Sequence, residues 1–356
     1  MSASSASPPI AAASLAALMW EAPVLCDAET AKIKLGYALE GLDLAGRARI
    51  DAILAAHPRA RDVLLGVAEF SPFLHDLIRA DPRRLLRALE GAPAAHIAAL
   101  TEACRQAVAH AADEAQAMTA LRQMRAEAAL TIALADIGGA LDLVQVTRAL
   151  TDVADTALDA ALDFLLGEAV SAGKLLPPDP AHPAMGCGLA VIAMGKHGAR
   201  ELNYSSDVDL VVVYDRDVAP LAAGVEPSPF FVKITRALAR MLQERTGDGY
   251  VLRVDLRLRP DPGSTQVALS TAAALAYYER EGATWERAAY IKARPVAGDL
   301  AVGREFLSDL APFVWRRVLD YRAIADVHAM KREIHAFRGH DVVAVEGHNV
   351  KLGRGG

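Results

Sequence analysis

From about Asp27 to Gly173 apolar residues recur three and four positions apart in a background rich in Ala, Leu, Arg and Glu, with few runs of Val or Ile; this predicts a helical region. One segment shows the pattern well. Asp142 followed by Gln145 has the form of a capping box. Beyond it Val146, Leu150, Val153, Ala157, Ala161 and Leu165 line one face, while Arg148, Asp152, Asp155, Asp159 and Asp163 line the other. The acidic stripe is expected to be a solvated face. Around "AGKLLPPDPAHPAMGCG", Ala172 to Gly188, Pro and Gly cluster and the helical period ends, which marks a linker. "LAVIAM" (Leu189–Met194) and "DVDLVVVYD" (Asp207–Asp215) then read as buried strands, and "SPFFVKITRALARMLQER" as a helix. "YVLRVDLRLRP", Tyr250 to Pro260, alternates strictly and predicts a third strand, with Arg253, Asp255, Arg257 and Arg259 on one face and Val254, Leu256 and Leu258 on the other. Helical spacing returns from about Leu300 to Phe337. The expected fold class is α+β, predominantly helical. Residues 1–26 are expected as a loose tail (Met1 to Pro9 most plainly), 27–180 as a helical region, 181–299 as a second domain in the order β, loop, β, α, β, and 300–356 as a C-terminal helical segment.

A chain of 356 residues with 53% hydrophobic and 23% charged residues has the composition of a globular protein and the length for more than one domain. Its net charge of -6 argues against nonspecific binding to nucleic acid, which needs clustered Lys and Arg. Cys26, Cys104 and Cys187 are widely spaced and odd in number, so no disulfide framework or C-x-x-C metal site is available, and a reducing cytoplasm is the expected compartment. No Lys or Arg precedes Lys32, so the basic start of a signal peptide is missing, and no run of about 18 uncharged apolar residues suggests a membrane span. The basic, glycine-rich end "NVKLGRGG" reads as the edge of a fragment whose natural chain continues.

The chemistry concentrates in "GKHGARELNYSSDVDLVVVYD", Gly195 to Asp215. Asp207 and Asp209 share one face at the start of a strand, with Cα atoms roughly 6.5 to 7 Å apart, and a carboxylate there costs much free energy unless it is paired or bound to a cation. Hard oxygen ligands suit Mg²⁺ or Mn²⁺, whose shells are completed by water and substrate phosphates, and Asp255 is the natural third ligand if its strand is a neighbour. Gly195 and Gly198 would let the backbone approach phosphates, with Lys196 and the hydroxyls of Ser205 and Ser206 beside them. Lys292 and Arg294 in "TWERAAYIKARP" are candidate phosphate cations, with a salt-bridged helix including Glu286 as the alternative; Arg253, Arg257 and Arg259 carry the same pair of readings. Glu201 and Asn203 either orient the loop's ligands or hold the long turn together. A phosphate loop of the Walker type, a dinucleotide fingerprint, a zinc-binding histidine pair and a nucleophile elbow all lack their required spacing.

The order of strand, Gly-containing turn, Asp-x-Asp and later Asp resembles the polymerase β-like nucleotidyltransferase superfamily. The longer string, together with "RVDLRLRP", "TWERAAYIKARPVAGD" and "KLGRGG", resembles glutamine synthetase adenylyltransferases, bifunctional enzymes that add AMP to a tyrosine of glutamine synthetase and remove it. "FSPFLHDLIRADPRRL" and "LRQMRAEAALTIALADIGGALDLVQVTRALTDVAD" are similar to the family's first helical region, so the single copy here resembles the adenylyl-removing half. The resemblance implies a catalytic domain at 181–299 with Asp207, Asp209 and Asp255 as catalytic metal ligands, and Gly195, Lys196, Gly198, Ser205, Ser206, Lys292 and Arg294 toward nucleotide and phosphate. It also implies ADP or ATP and inorganic phosphate as substrates or products, and glutamine synthetase and the PII signalling protein as partners. His197 and Ala199 depart from the family's usual Leu and Gly. Neither change removes a ligand. Two other readings are the forward reaction, ATP-dependent adenylylation, and a non-catalytic module that binds glutamine synthetase or PII.

Overall fold

The computed structural model describes residues 13–315, together with 328, 329 and 332. Among the described residues nine helices fill the first half: α1 (Leu15–Leu18), α2 (Ala28–Ala38), α3 (Leu44–Ala56), α4 (Pro58–Phe70), α5 (Pro72–Ala80), α6 (Arg83–Glu90), α7 (Pro93–Ala109), α8 (Glu114–Ile137) and α9 (Leu143–Ser171). Local chemistry sets their starts. The side chains of Asp27, Asp43, Ser71, Asp113 and Asp142 accept from backbone N–H groups of the first turn, and Pro opens α4, α5 and α7, where its missing donor costs nothing. The capping box expected at Asp142 and Gln145 is present.

The second half carries β1 (Leu189–Ala193), the single turn α10 (Gly195–Gly198), β2 (Val208–Tyr214), α11 (Pro227–Gln243), β3 (Val254–Asp255), β4 (Ala268–Ser270), α12 (Thr271–Arg280), α13 (Thr284–Tyr290), β5 (Arg294–Gly298) and α14 (Leu300–Val314). The sheet runs β3-β2-β1-β5, with β4 also on β2. β1 is antiparallel to β2 and β5, while β3 and β4 lie parallel along successive stretches of the same edge of β2.

The alternation of β1 and β2 divides their side chains between two layers. Leu189, Val191, Ala193, Leu210 and Val212 join one core with α7, α8, α9 and α11, whereas Ala190, Ile192, Val211 and Val213 face Tyr278, Tyr290 and Phe306 of the last helices. A separate core holds α1 to α6 and closes on Leu130 and Leu134 of α8. Helix α8 thus serves both cores, so the helical region and the sheet are packed together.

Three expectations are corrected here. The tail does not run to residue 26, because Leu15, Ala16 and Met19 are buried in the first helical core. The strand expected over Tyr250–Pro260 is two residues long. β4 takes the next stretch of β2's edge, and the Asp255 carboxylate accepts from the Arg257 N–H at 2.8 Å, a local turn that ends the ladder. Arg259 leaves the expected face and donates to the carbonyls of Leu256, Pro262 and Thr265. The acidic stripe of α9 is not solvated throughout, since Asp155, Asp159 and Asp163 are half-buried. Strands β4 and β5 were not expected at all. The helix expected to Phe337 is described to Val314, and "KLGRGG" lies outside the described residues.

Candidate active site

Val208 and Asp209 of β2 pair in parallel register with Val254 and Asp255 of β3, which places Asp209 and Asp255 on adjacent strands about 4.8 Å apart. Asp207 precedes Asp209 by two, at the mouth of the same strand. Asp207 accepts from Arg253 Nε at 2.5 Å, and both side chains are about half exposed. Asp255 is closer to buried and takes the Arg257 guanidinium at 2.5 Å, while that arginine is 82% exposed. The hydrogen bond from Arg257 holds the Asp255 carboxyl below the ordinary range, against the opposing effect of burial. Asp255 in turn raises Arg257, with added attraction from Asp209 and Asp207, so the negative potential of all three carboxylates is felt at one point.

Gly195 lies directly against this group. Its φ is +54°, and a Cβ there would stand 2.9 Å from Asp209 Oδ2. Gly198 differs. It is buried, and a Cβ would meet the carbonyl oxygen of Lys292 at 2.1 Å, so its close approach is to the protein's own backbone and not to open space. Lys196 is half-buried, with no ion pair among the described residues. Ser205 is exposed with φ +57°, and its carbonyl accepts from Arg253; the Ser206 hydroxyl donates to Asn203 Oδ1.

The loop from Gly195 to Ser206 is fastened to the helical region at three points. The Tyr204 hydroxyl donates to Asp136 of α8 at 3.0 Å, and Arg200 reaches Asp152 of α9 at 3.3 Å. The third point is buried: His197 Nε2 donates to Asp155 Oδ1 at 2.7 Å with its ring fully enclosed, and Arg294 grips both oxygens of Asp155 at 2.9 and 2.8 Å. Arg294 also donates to the carbonyls of His197 and Gly198 at 3.2 Å. Burial pushes the Asp155 carboxyl up, but the hydrogen bonds from His197 and Arg294 overcome it and leave it below its usual value.

These contacts decide where the candidate cations stand. Arg294, expected as a phosphate cation, directs its donors to Asp155 and to the loop carbonyls of His197 and Gly198. Lys292 pairs with Glu201 at 2.8 Å on the surface. Glu286 is buried and accepts from the Ala283 N–H at 2.8 Å, which caps α13; burial raises its carboxyl. Asp155, Tyr204 and Asp136 were missed as site residues. The signal for Asp155 was present, since His197 and Arg294 are polar groups in apolar surroundings that need a partner.

The donor set of Asp207, Asp209 and Asp255 fits a hard divalent cation, and the open space over Gly195 keeps Asp209 accessible. Among the described residues no three acidic, His or Cys side chains converge as a ready cluster, because Asp207 and Asp255 are turned to Arg253 and Arg257. Arg257 is 82% exposed, so releasing Asp255 requires rotation of that side chain, whereas releasing Asp207 also breaks the contacts of Arg253 with the Ser205 carbonyl and the Tyr250 hydroxyl.

A sheet end with two in-register carboxylates, a third beside them and a glycine turn against them agrees with the family comparison. The model of the glutamate-ammonia ligase adenylyltransferase family matches residues 62–309. The chain belongs to this family. A relative from Xanthobacter autotrophicus, named bifunctional glutamine synthetase adenylyltransferase/adenylyl-removing enzyme, is 74% identical over 343 residues, which cover 96% of this chain and 35% of the relative. Proteins of the same name from Bradyrhizobium diazoefficiens and Rhodopseudomonas palustris strain HaA2 are 57% and 54% identical, covering 96% and 100% of this chain and 34% and 36% of their own lengths. The chain thus spans about a third of the adenylyltransferase relatives it matches. Among the described residues no helix is long and apolar enough to cross a membrane.

Proposed function

We propose that this chain is an adenylyl-removing nucleotidyltransferase of the cytoplasm that acts on the adenylyl-tyrosine of glutamine synthetase. Inorganic phosphate attacks the AMP phosphorus, the bond from phosphorus to the tyrosyl oxygen breaks, ADP leaves and the tyrosine takes up a proton. The observation that supports this most is the pairing of Asp209 with Asp255 in register beside Asp207, with Gly195 against the Asp209 carboxylate. The direction rests on the resemblance of the helical segments ahead of the site to the family's removing half. Glutamine synthetase is the substrate in this reading, and PII is the controlling partner that the resemblance implies.

Asp207, Asp209 and Asp255 would hold Mg²⁺ or Mn²⁺, which in such sites neutralises phosphate charge and fixes the reacting groups. The chain's own residues do the rest. Lys196 brings to the loop an ammonium with no ion pair among the described residues, and Gly195 keeps a Cβ from standing against the Asp209 carboxylate. Asp155, through His197 and Arg294, holds the loop in place before substrate arrives, so orientation is set in advance.

The test mixes the protein with adenylylated glutamine synthetase, Mg²⁺ and phosphate and follows ADP. Phosphate-dependent ADP that disappears in Asp209→Asn is expected. Pyrophosphate release from ATP with unmodified glutamine synthetase, and no ADP in the first assay, would assign the forward reaction instead.

A further inference from the structure

Arg122 and Arg125 lie three apart on α8 and so share a face of that helix. The two meet different environments. Arg122 is buried and donates to the carbonyls of Met118, Met241, Glu244 and Gly249, so it ties the end of α11 and the following turn to α8. That tie sets Tyr250 over the next turn of α8. Arg125 then lies over two aromatic rings, Phe73 of α5 at 5.4 Å and Tyr250 at 5.5 Å. Among the described residues it has no carboxylate partner and no hydrogen bond, although it is half-buried.

A second guanidinium, Arg245, stands over the same Tyr250 ring at 5.5 Å and has no acidic partner among the described residues. A third, Arg253, donates to the Tyr250 hydroxyl at 3.2 Å and pairs with Asp207. Three guanidiniums therefore surround one ring, and among the described residues the carboxylate paired with any of them is that of Asp207. Withdrawing a cation from water beside like charge is costly unless an anion compensates, and burial with the nearby Arg253 weakens the hold of Arg125 on its proton. A guanidinium held over aromatic faces without a carboxylate partner keeps N–H donors that can take a tetrahedral oxyanion at two oxygens.

We infer that Arg125, with Arg245 and Arg253 around Tyr250, forms a subsite for a phosphate group next to the Asp207 end of the carboxylate site. The ligand class is inorganic phosphate or a nucleotide's phosphate. Its catalytic meaning rests on the proposed reaction, in which this subsite receives the attacking phosphate. Because Arg125 belongs to α8, the helical region then contributes directly to ligand binding.

Calorimetric titration of inorganic phosphate, AMP and ADP into the chain, and into its Arg125→Gln and Arg245→Gln variants, tests the subsite without glutamine synthetase. Arg125→Gln should weaken phosphate about tenfold or more, and Arg245→Gln, at an exposed position that leaves the fold intact, about twofold to threefold. An unchanged AMP affinity would assign the subsite to inorganic phosphate, and an equal loss for AMP and ADP to the nucleotide. The inference is overturned if the parent binds none of the three, or if both variants bind all three as the parent does. Arg125-dependent phosphate binding without ADP release from adenylylated glutamine synthetase would leave the subsite standing and remove the proposed reaction.

Discussion

Asp155 on α9 and Asp255 on β3 each accept a guanidinium through both carboxylate oxygens, yet the surroundings of the two pairs differ. Arg294 and Asp155 are each only 20% exposed and share the pair with an enclosed His197, whereas the arginine on Asp255 is 82% exposed and makes no other ion pair among the described residues. A buried pair is strongly coupled to the fold, because removing one partner strands the other's charge. A pair whose cation stands in solvent, as Arg257 does over the 16% exposed Asp255, can exchange that cation with solvent and ligands. The same chemistry thus serves as a brace at α9 and as an exchangeable cover at the sheet end. The contrast predicts that mutations at the two places will separate stability from activity.

The largest effect should come from Asp209→Asn, which removes a charge while conserving shape. ADP formation should fall by about 10² to 10³, the scale of losing one electrostatic contact to a transition state, with the thermal midpoint within a few degrees of the parent. Retained turnover would dissolve the distinction between site and brace. Gly198→Ala should do the reverse. Its Cβ would stand 2.1 Å from a backbone oxygen, so about 3 kcal/mol of stability should be lost in urea unfolding. Gly195→Ala should cost only about 1 to 2 kcal/mol, for the left-handed backbone, while turnover falls with the Cβ set against Asp209.

The sequence carried much of this and missed part of it for identifiable reasons. The capping box at Asp142, the apolar runs of β1 and β2 and the Asp-x-Asp motif are local signals, each written within a few residues. The brace is not local. Asp155 looked like one member of a solvated stripe because the groups that cover it, His197 and Arg294, are 42 and 139 residues away. The alternation of Tyr250–Pro260 was real as a pattern, but it could not show that another strand takes the edge of β2 beyond Asp209. Lys292 and Arg294 were read together because they are two residues apart. The start of β5 between them sends one to the surface and the other to α9.

The brace itself is tested by Asp155→Asn, which should cost about 2 kcal/mol, less than for a fully buried pair because both side chains retain some exposure. The pH dependence fixes its origin. The Asp155 carboxyl is held below its ordinary value in the folded protein, so its contribution is complete above the unfolded value near 4 and is lost as pH falls through the lower, folded value. The stability difference between parent and variant should therefore shrink below about pH 4. Taking a difference removes most of the effect of Asp152 and Asp159, whose carboxyls burial moves upward. A gap that persisted unchanged in acid would mean that the variant loses packing and not charge.

The smallest effect completes the comparison. Glu201 and Lys292 also join the Gly195–Ser206 loop to the chain before β5, at 2.8 Å, but with side chains 58% and 51% exposed. If burial is what separates a brace from a surface contact, Glu201→Gln should change stability by no more than about 0.5 kcal/mol, and 1 M salt should erase even that. Both Lys292 and Arg294 flank the same turn, so the pair of experiments compares an exposed ion pair with one that is largely buried and shared with His197. A cost for Glu201→Gln as large as that for Asp155→Asn would place the strain-bearing contact at the surface end of the loop, and Arg294 would then be holding a loop that is already fixed.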